Sequence, residues 1–397
     1  MFNYFSQAKC EHCGNNPTPH FFAWYFESMS CLLEGFRRAV SSSKITSIFL
    51  KTLTWLKITE IVIWFFSFVK IIKLNPNRKS CKISRAKVLW EEAEKRGIAM
   101  QEIFLFGKSL DCYVAKKVDS KTIFFSGLPR IPNVVSPNFE IMDDKAELKK
   151  LFIKNGLPVP LGGSCRNLGQ ALEIFQKIEK PVIVKPRLGS RGRHSTTFIN
   201  TAEELKEAFR VAKQLCYWVV VEEQLEGPVY RATLIDFKLG GVLRGDAPEI
   251  VGDGTSSIQQ LIKTKNSQPH LGVKDIIVSL ELENFLKRQS LNLKSVPKFD
   301  EKIVLLSRIG VNYGGSSAEE FEICHPDTKE LFVRAAKVLG DQIVGFDFII
   351  PDITCSYKEQ KCGFIEANSL PFINLHHEPF LGEPRNVAAM VWEMVGW

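Results

Sequence analysis

Two stretches near the C-terminus place oxygen-bearing side chains inside apolar runs. Glu366 and Asn368 lie two residues apart in CGFIEANSLPFINLHH, and Asp347 lies at the centre of IVGFDFIIPD. Side chains alternate between the two faces of a strand, so Glu366 and Asn368 should share one face. Carboxylate and amide oxygens on one rigid face suit a hard cation such as Mg²⁺. The alternative is an edge strand whose polar face is solvated.

The two apolar runs can also pair with each other. A connection containing SYKEQK separates them, which suits an antiparallel pair of strands. Asp347, Glu366 and Asn368 would then converge on one or two metal ions. These ligands fit Mg²⁺ that carries nucleotide phosphates.

A glycine-rich loop lies upstream, in PVIVKPRLGSRGRHSTTFI at residues 181–199. Lys185 lies in a predicted strand that Pro186 ends, and glycines in the loop allow backbone amides to approach an anion. The pattern is neither a Walker motif nor a dinucleotide-binding fingerprint. Such a loop alone is often only a turn. Its combination with Lys185 and the downstream acidic set indicates a nucleotide phosphate site.

The composition is that of a globular protein with two or three domains. The chain has 397 residues, of which 45% are hydrophobic and 24% charged, and its net charge is +8. This charge is not a clustered basic stripe, so we do not expect a nucleic-acid partner. A polyanionic small molecule such as ATP, or an anionic membrane face, fits the charge equally well.

The cysteine pattern predicts a reducing, cytoplasmic environment. Ten cysteines are scattered along the chain, and the first 20 residues are too polar for a secretory signal. CEHCG at residues 10–14 has the spacing of half a zinc site. His12, His20 and Cys31 are nearby, but no second cysteine pair follows at partner spacing. Zinc binding is therefore not the favoured interpretation.

The most apolar segment is residues 46–74. Its longest uncharged run, IVIWFFSFV, has nine residues, whereas a membrane-spanning helix needs about 20. The favoured interpretation is a helix packed on the catalytic body. The alternative is an interfacial helix that places Trp55, Trp64 and Phe65 in lipid and lysines on headgroups, and so brings a cytoplasmic protein to the membrane surface.

The order of predicted elements divides the chain into three parts. Residues 1–78 form an aromatic-rich, helical extension, and residues 79–135 form a small α/β lobe. Residues 136–397 alternate helix and strand and form the main domain. Within the main domain, Thr201 and Glu204 have the spacing of a helix capping box.

Taken together, these motifs resemble the ATP-grasp superfamily of ligases. The resemblance is greatest to the ATP-grasp regions of cyanophycin synthetases and of bifunctional glutathione synthetases. It is collinear from about residue 138 to the end of the chain and includes VIVKP, VVVEEQLEG, IVGDGTSSIQQLI, LLSRIGVN, GFDFIIPDIT and IEANSLPFINLHHEPFLGEPRNVA. It implies an α/β (α+β) ATP-grasp fold with a small preceding lobe and an N-terminal helical extension.

The resemblance also implies a role for individual residues. The implied cofactors are ATP and Mg²⁺, or Mn²⁺ in its place. The residues implied for ATP are Lys145, Lys185, Gly189, Ser190, Gly192, Glu222, Glu223 and Leu225, and the segment from Glu222 to Leu225 is implied to form the hinge that recognises adenine. The residues implied for the metal are Asp347, Glu366 and Asn368. Those implied for catalysis are Arg231, Arg308 and Asn312, and His376 is implied to lie near the substrate.

The implied reaction is ATP-dependent amide formation between a carboxylate and an amine through an acyl phosphate. Two other functions use the same ATP site: a kinase acting on a small molecule, and a non-catalytic ATP-binding module. Intact Lys185 and the intact metal set argue against the non-catalytic module. Three departures from the family pattern leave the substrate open: Val229 after the hinge, YGGSS at 313–317 and Phe372 after Pro371.

Overall fold

The computed structural model describes most of the chain from residue 72 onward and short N-terminal pieces. The described residues are 10–13, 18–21, 23–25, 72–120, 122–131, 134, 136–138, 141–189, 192–268 and 273–397. Most of the predicted N-terminal helix, 46–71, therefore lies outside the described residues, as does Ser190. Within the described part, no helix has the length and apolar character needed to cross a membrane.

The described residues include fifteen strands and nine α-helices. The strands are β1 (Ile72–Asn75), β2 (Ile98–Leu105), β3 (Lys108–Lys117), β4 (Ile123–Ser126), β5 (Gly162–Cys165), β6 (Val182–Pro186), β7 (Thr196–Ile199), β8 (Val219–Glu223), β9 (Val229–Ile235), β10 (Lys238–Gly245), β11 (Glu249–Val251), β12 (Lys302–Val304), β13 (Ser317–Glu319), β14 (Ile343–Ile349) and β15 (Gly363–Asn368). The helices are α1 (Ser84–Lys95), α2 (Lys145–Lys154), α3 (Leu168–Lys177), α4 (Ala202–Ala212), α5 (Ile258–Asn266), α6 (Leu280–Arg288), α7 (Pro326–Leu339), α8 (Asn374–His377) and α9 (Val387–Met394).

A small antiparallel sheet of order β1-β2-β3-β4 forms the first lobe. Its buried residues and those of α1 share one hydrophobic core with α9. The Trp392 indole N–H of α9 donates to the Leu89 carbonyl of α1 at 2.9 Å. The C-terminal helix therefore fastens this lobe to the rest of the molecule.

A second antiparallel sheet has the order β5-β8-β6-β7. The helices α3 and α4 cover it and share its core. Helix α4 begins with the predicted capping box, since the Glu204 amide donates to the Thr201 hydroxyl at 3.2 Å and the Thr201 amide donates to the Glu204 carboxylate at 3.1 Å. This sheet carries the glycine-rich loop between β6 and β7.

The third sheet is the one that positions the candidate site, and we call it the site sheet. Its order is β13-β10-β9-β14-β15, with every neighbouring pair antiparallel. One face packs on α2 and α7 through a cluster of phenylalanine rings. The described residues between 249 and 313 add a smaller unit, in which α5, α6 and the two-stranded antiparallel sheet of β11 and β12 share a core of their own.

The α/β prediction is confirmed, and one detail of it is wrong. Residues 72–74, which the sequence assigns to the N-terminal helix, belong to β1 and pair with β2. The edge of β2 offers backbone partners to this segment, and Pro76 follows directly after the strand. The predicted boundaries at residues 78 and 135 stay predictions.

We expect Thr201→Ala to lower the free energy of unfolding by about 0.5–2 kcal/mol, because it removes the hydroxyl that satisfies a backbone amide at the start of α4. Urea unfolding of the full chain measures this change. Thr264→Ala, at an exposed position of α5, is the matched control and should change stability by less than about 0.5 kcal/mol. Equal losses in the two variants would contradict the capping role.

Candidate active site

The two acidic residues of the C-terminal strands lie opposite each other on the site sheet. Strands β14 and β15 pair antiparallel, as predicted, with Asp347 opposite Glu366 and Gly345 opposite Asn368. The register shifts between Asp347 and Phe348, because β15 contributes one extra residue, Ile365. Without this bulge, strict alternation would place Glu366 on the same face as the buried Phe364. The bulge thus allows β15 to bury Phe364 in the core and still present Glu366 beside Asp347.

Arg231 on β9 holds the first of these acids. It lies opposite Asp347 in the ladder, and its guanidinium donates two parallel hydrogen bonds to the carboxylate, each of 2.8 Å. This bidentate geometry is the strongest form of such a pair. Asp347 is therefore held rigidly on the face of the sheet that is opposite the phenylalanine core.

Glu366 is compensated much less completely. Its nearest cation is the Lys145 ammonium at 4.0 Å, which is too long for a hydrogen bond. Burial raises the pKa of Glu366, the nearby Asp347 carboxylate raises it further, and Lys145 opposes both effects. Two neighbouring carboxylates with one close guanidinium are a favourable place for a divalent cation. Asn368 adds an amide on the same face, and it donates to the Gly345 carbonyl at 3.4 Å.

Three buried lysines lie near this acidic pair but belong to elements outside the site sheet. Lys145 and Lys149 lie four residues apart on α2, and Lys185 lies on β6. The buried Glu222 carboxylate on β8 contacts both Lys149 and Lys185. Burial, with a further contribution from Lys145, lowers the pKa of Lys185 to about 7. The pKa of Lys149 is also lowered, by burial and by Lys185 and Lys145.

The N-terminus of α2 holds Lys145 between the glycine-rich loop and the acidic pair. Asp144 caps the helix by accepting from the amides of Ala146 and Glu147. The same carboxylate accepts two hydrogen bonds from Arg187, at 2.8 and 2.6 Å, and so ties α2 to the start of the glycine-rich loop. Lys145 then reaches the Gly189 carbonyl in that loop at 2.5 Å. Gly189 has a φ of +102°, a conformation that favours glycine.

The site therefore collects four basic side chains, Lys145, Lys149, Lys185 and Arg231, and three acidic ones, Glu222, Asp347 and Glu366. Burial disfavours the charged forms of Lys149, Lys185 and Glu366. A polyanion would favour the charged form of the lysines, and a divalent cation would favour the ionised form of Glu366 beside Asp347. The donor set thus fits a nucleotide phosphate chain and its metal ion.

Comparisons with known proteins identify the fold. The chain is 30% identical over 264 residues to the glutathione biosynthesis bifunctional protein GshAB of Clostridium perfringens, covering 64% of this chain and 34% of that protein. It is 31% identical over 265 residues to a cyanophycin synthetase of Synechocystis sp., covering 64% of this chain and 30% of that protein. The crystal structure of a bifunctional glutathione synthetase from Pasteurella multocida superposes with a TM-score of 0.56 at 25% identity, covering 78% of this chain and 43% of that one. The chain has the ATP-grasp fold.

Two further facts accompany this result. The chain spans about a third of the length of the curated relatives above. No protein-family model matches it.

The ATP-grasp residues implied for adenine recognition lie in and after β8. Glu222 is the second-last residue of that strand, and its carboxylate points at Lys149 and Lys185 rather than lying in a hinge loop. The Glu223 carboxylate accepts from the Leu161 amide at 2.9 Å and pairs with Lys361 at 2.7 Å. Leu225 is buried just after the strand. The side chains of Glu222 and Glu223 are therefore engaged with other protein groups, so their ATP role stays a prediction.

The residues implied for catalysis lie in different places. Arg231 belongs to the acidic face of the site sheet. Arg308 donates to Glu281 at 2.7 Å and lies next to Gly192 of the glycine-rich loop, and Asn312 is exposed in a short 3₁₀ helix. His376 is fully buried, where its ring bonds Glu319 at 2.6 Å and Thr233 at 2.8 Å.

The sequence did not identify Lys149 as part of this site. Its only signal is the spacing of four residues from Lys145, which places both on one face of a helix. The same spacing is common among solvated lysines. Its significance depends on Glu222, which lies in a strand far along the chain.

Glu222 and Glu366 should respond oppositely to loss of their charge. Glu222→Gln leaves two buried lysines without their carboxylate, and we expect a loss of about 3–5 kcal/mol of unfolding free energy. The pKa of both lysines is lower in the folded chain than in the unfolded chain, so the native state binds fewer protons. The free energy of unfolding therefore rises with pH between the lowered and the unfolded pKa values. The loss in Glu222→Gln should therefore be larger at pH 6 than at pH 9.

Glu366→Gln should not destabilise the chain at pH 7. The pKa of Glu366 is raised in the folded chain, so ionisation of this carboxyl lowers the free energy of unfolding. The glutamine side chain carries no ionisable group and so avoids this loss. The difference from the wild type should vanish as the pH falls and Glu366 becomes protonated in both states. Urea unfolding at several pH values measures both variants, and a large loss in Glu366→Gln at pH 7 would contradict the description of the acidic pair.

Proposed function

We propose that this chain is an ATP- and Mg²⁺-dependent ligase that joins a carboxylate to an amine. The observation that carries the proposal is the position of Lys145. It lies between the Gly189 carbonyl of the glycine-rich loop and the Glu366 carboxylate of the site sheet. A phosphate chain beside Lys145 would face the buried lysines on one side and the acidic pair on the other.

The chain's own residues have separable tasks in this proposal. Lys145, Lys149 and Lys185 neutralise phosphate oxygens, and the burial of these lysines strengthens their interaction with a bound charge. Arg231 orients Asp347 through its two hydrogen bonds. Asp347, Glu366 and Asn368 hold Mg²⁺, and we infer that Mn²⁺ can replace it because it accepts the same oxygen ligands. When bound, the ion neutralises phosphate charge and helps to orient the phosphate chain.

The proposed reaction has two steps, and catalysis comes from positioning and charge neutralisation. A carboxylate oxygen of the first substrate attacks the γ-phosphorus, and the bond from that phosphorus to the bridging oxygen of ADP breaks. The amine nitrogen of the second substrate then attacks the activated carbonyl carbon. Phosphate leaves, the nitrogen loses a proton and an amide bond remains. No serine, cysteine or histidine nucleophile is needed.

The names of the relatives narrow the class of substrate. They concern glutathione biosynthesis and cyanophycin synthesis, and we infer that this chain also acts on an amino acid or a short peptide. The decisive experiment measures ADP release against a panel of amino acids and peptides, with mass spectrometry of the products. An amide product with ADP and phosphate supports the proposal. A stable phosphorylated acceptor would instead show a kinase.

We expect Glu366→Gln to reduce ADP formation at least about 100-fold at saturating ATP and Mg²⁺, because loss of one metal ligand leaves phosphate charge uncompensated during transfer. A coupled assay of ADP release measures the effect. Asp352→Asn, which alters an exposed carboxylate just after β14, is the matched control and should keep wild-type activity. Full activity in Glu366→Gln would contradict the metal assignment.

We also expect Lys185→Met to weaken ATP binding strongly, whereas Lys206→Met, on the exposed face of α4, should not. Since the pKa of Lys185 is about 7 without ligand, phosphate binding should require this lysine to take up a proton at higher pH. ATP affinity should fall between pH 7.5 and 9, by at most about tenfold per pH unit. Calorimetric titration should show this fall in the wild type and a flatter profile in Lys185→Met. Equal behaviour of the two lysine variants would contradict the phosphate assignment.

A further inference from the structure

Four potential metal ligands from distant parts of the chain converge beside the glycine-rich loop. They are Cys10, Cys13, His20 and His194, and their ligand atoms all lie within 4.8 Å of one another. The first three belong to the N-terminal pieces, whereas His194 follows Cys13 by 181 residues. Cys13 and His194 are almost completely buried. We call this group the Cys2His2 cluster.

The distances within the Cys2His2 cluster match tetrahedral zinc. Zinc–sulfur bonds of about 2.3 Å and zinc–nitrogen bonds of about 2.0–2.1 Å at tetrahedral angles place a sulfur and a nitrogen ligand about 3.5 Å apart. The Cys10 sulfur lies 3.4 Å from His194 Nε2, and the Cys13 sulfur lies 3.5 Å from the same nitrogen and 3.4 Å from His20 Nε2. Three sulfur–nitrogen distances among these four atoms thus have the value that a shared ion requires.

Hydrogen bonds alone do not account for this arrangement. His194 Nδ1 lies 2.8 Å from the Val211 carbonyl, which can only accept, so Nδ1 carries the proton. Nε2 then has a single lone pair, and two sulfurs lie within 3.5 Å of it. A metal ion between the sulfurs and Nε2 would use that lone pair once and satisfy both sulfurs. The bond to Val211 would also fix the ring orientation, as is usual for metal-binding histidines.

The backbone around the Cys2His2 cluster holds the N-terminal pieces against the loop. The His194 amide donates to the His12 carbonyl at 2.9 Å, and Arg308 donates to the same carbonyl at 3.2 Å. Residues Glu11–Cys13 form one turn of 3₁₀ helix, which places Cys10 and Cys13 on the same side. Imidazole rings bind a metal in their neutral form, through the nitrogen that carries no proton.

We propose that Cys10, Cys13, His20 and His194 bind one Zn²⁺ ion, which fastens the N-terminal segment to the glycine-rich loop. Two thiolates and two neutral imidazoles form the S₂N₂ set typical of structural zinc, and four protein ligands leave no position for a substrate. Binding would release one proton from each thiol and leave the site electrically neutral. The ion would anchor the C-terminal end of the loop at His194, opposite the end that Arg187 and Asp144 hold.

Zinc content of the full-length chain tests this inference directly. The protein should be purified without a polyhistidine tag or chelator, and its metal measured by inductively coupled plasma mass spectrometry. We expect one zinc ion per chain in the wild type and less than about a tenth of that in Cys13→Ser and His194→Ala, since each loses a ligand. His194→Cys supplies a different zinc ligand and should restore binding.

Two matched controls keep the ligand set intact. His12→Ala removes a histidine that lies beside the cluster but outside the ligand set, and Cys355→Ser removes an exposed cysteine elsewhere. Both should retain zinc. Cobalt replacement should give the absorption bands of a tetrahedral thiolate site in the wild type and in these controls. Hydrogen exchange at residues 192–199 should rise after chelation of the wild type and be already high in Cys13→Ser.

Several results would overturn the inference. They are a wild-type chain without zinc, a disulfide between Cys10 and Cys13 in the freshly isolated protein, or loss of zinc in His12→Ala with retention in His194→Ala. These measurements do not depend on ATP turnover. A chain that forms ADP but holds no zinc would refute the zinc site alone, and a zinc-loaded chain without ATP-dependent activity would refute the proposed function alone.

Discussion

Buried charge at the junction of two sheets is the constraint on which the rest of this site depends. Three lysines and one arginine share the junction with three carboxylates, and an unpaired ion in a protein interior is very costly. The pairs cross between elements: α2 and β6 meet at Glu222 of β8, and β9 meets β14 through Arg231 and Asp347. The ionic contacts that make these charges tolerable therefore also fix α2 and the strands relative to one another.

An apolar core supports the charged face of the site sheet from behind. Phe152 of α2 packs edge-on against Phe346 of β14 and Phe364 of β15, and Phe332 of α7 packs on Phe348. Such packing makes the backbone of β14 and β15 rigid, and the acidic pair inherits that rigidity. The bulge at Ile365 is what allows one short strand to serve both the core and the site.

The glycine-rich loop is held at its start by contacts with α2. Arg187 binds Asp144 at the cap of α2, and the Gly189 carbonyl accepts from Lys145. At the other end, His194 contacts the carbonyl of Val211 in α4 and the carbonyl of His12 in the N-terminal piece. The proposed zinc ion would strengthen the second of these anchors.

The sequence by itself determined the features that depend on local patterns. The apolar run IVGFDFIIPD with Asp347 at its centre indicated a strand, and the spacing of Thr201 and Glu204 predicted a helix start. These two signals come from neighbouring residues, whose relative directions the backbone geometry fixes. The resemblance of the collinear motifs to ATP-grasp ligases implied the fold.

Only the tertiary structure decided the features that join distant residues. The bulge at Ile365 changes which face Glu366 occupies, and the partner strand sets it rather than the local period. The resemblance placed Glu222 in a hinge that recognises adenine, but the packing of α2, β6 and β8 brings its carboxylate to Lys149 and Lys185. Half a zinc motif looked incomplete because His194, 181 residues after Cys13, lies near it only in the folded chain. Side-chain type and spacing describe what a residue can do, and long-range packing decides what it meets.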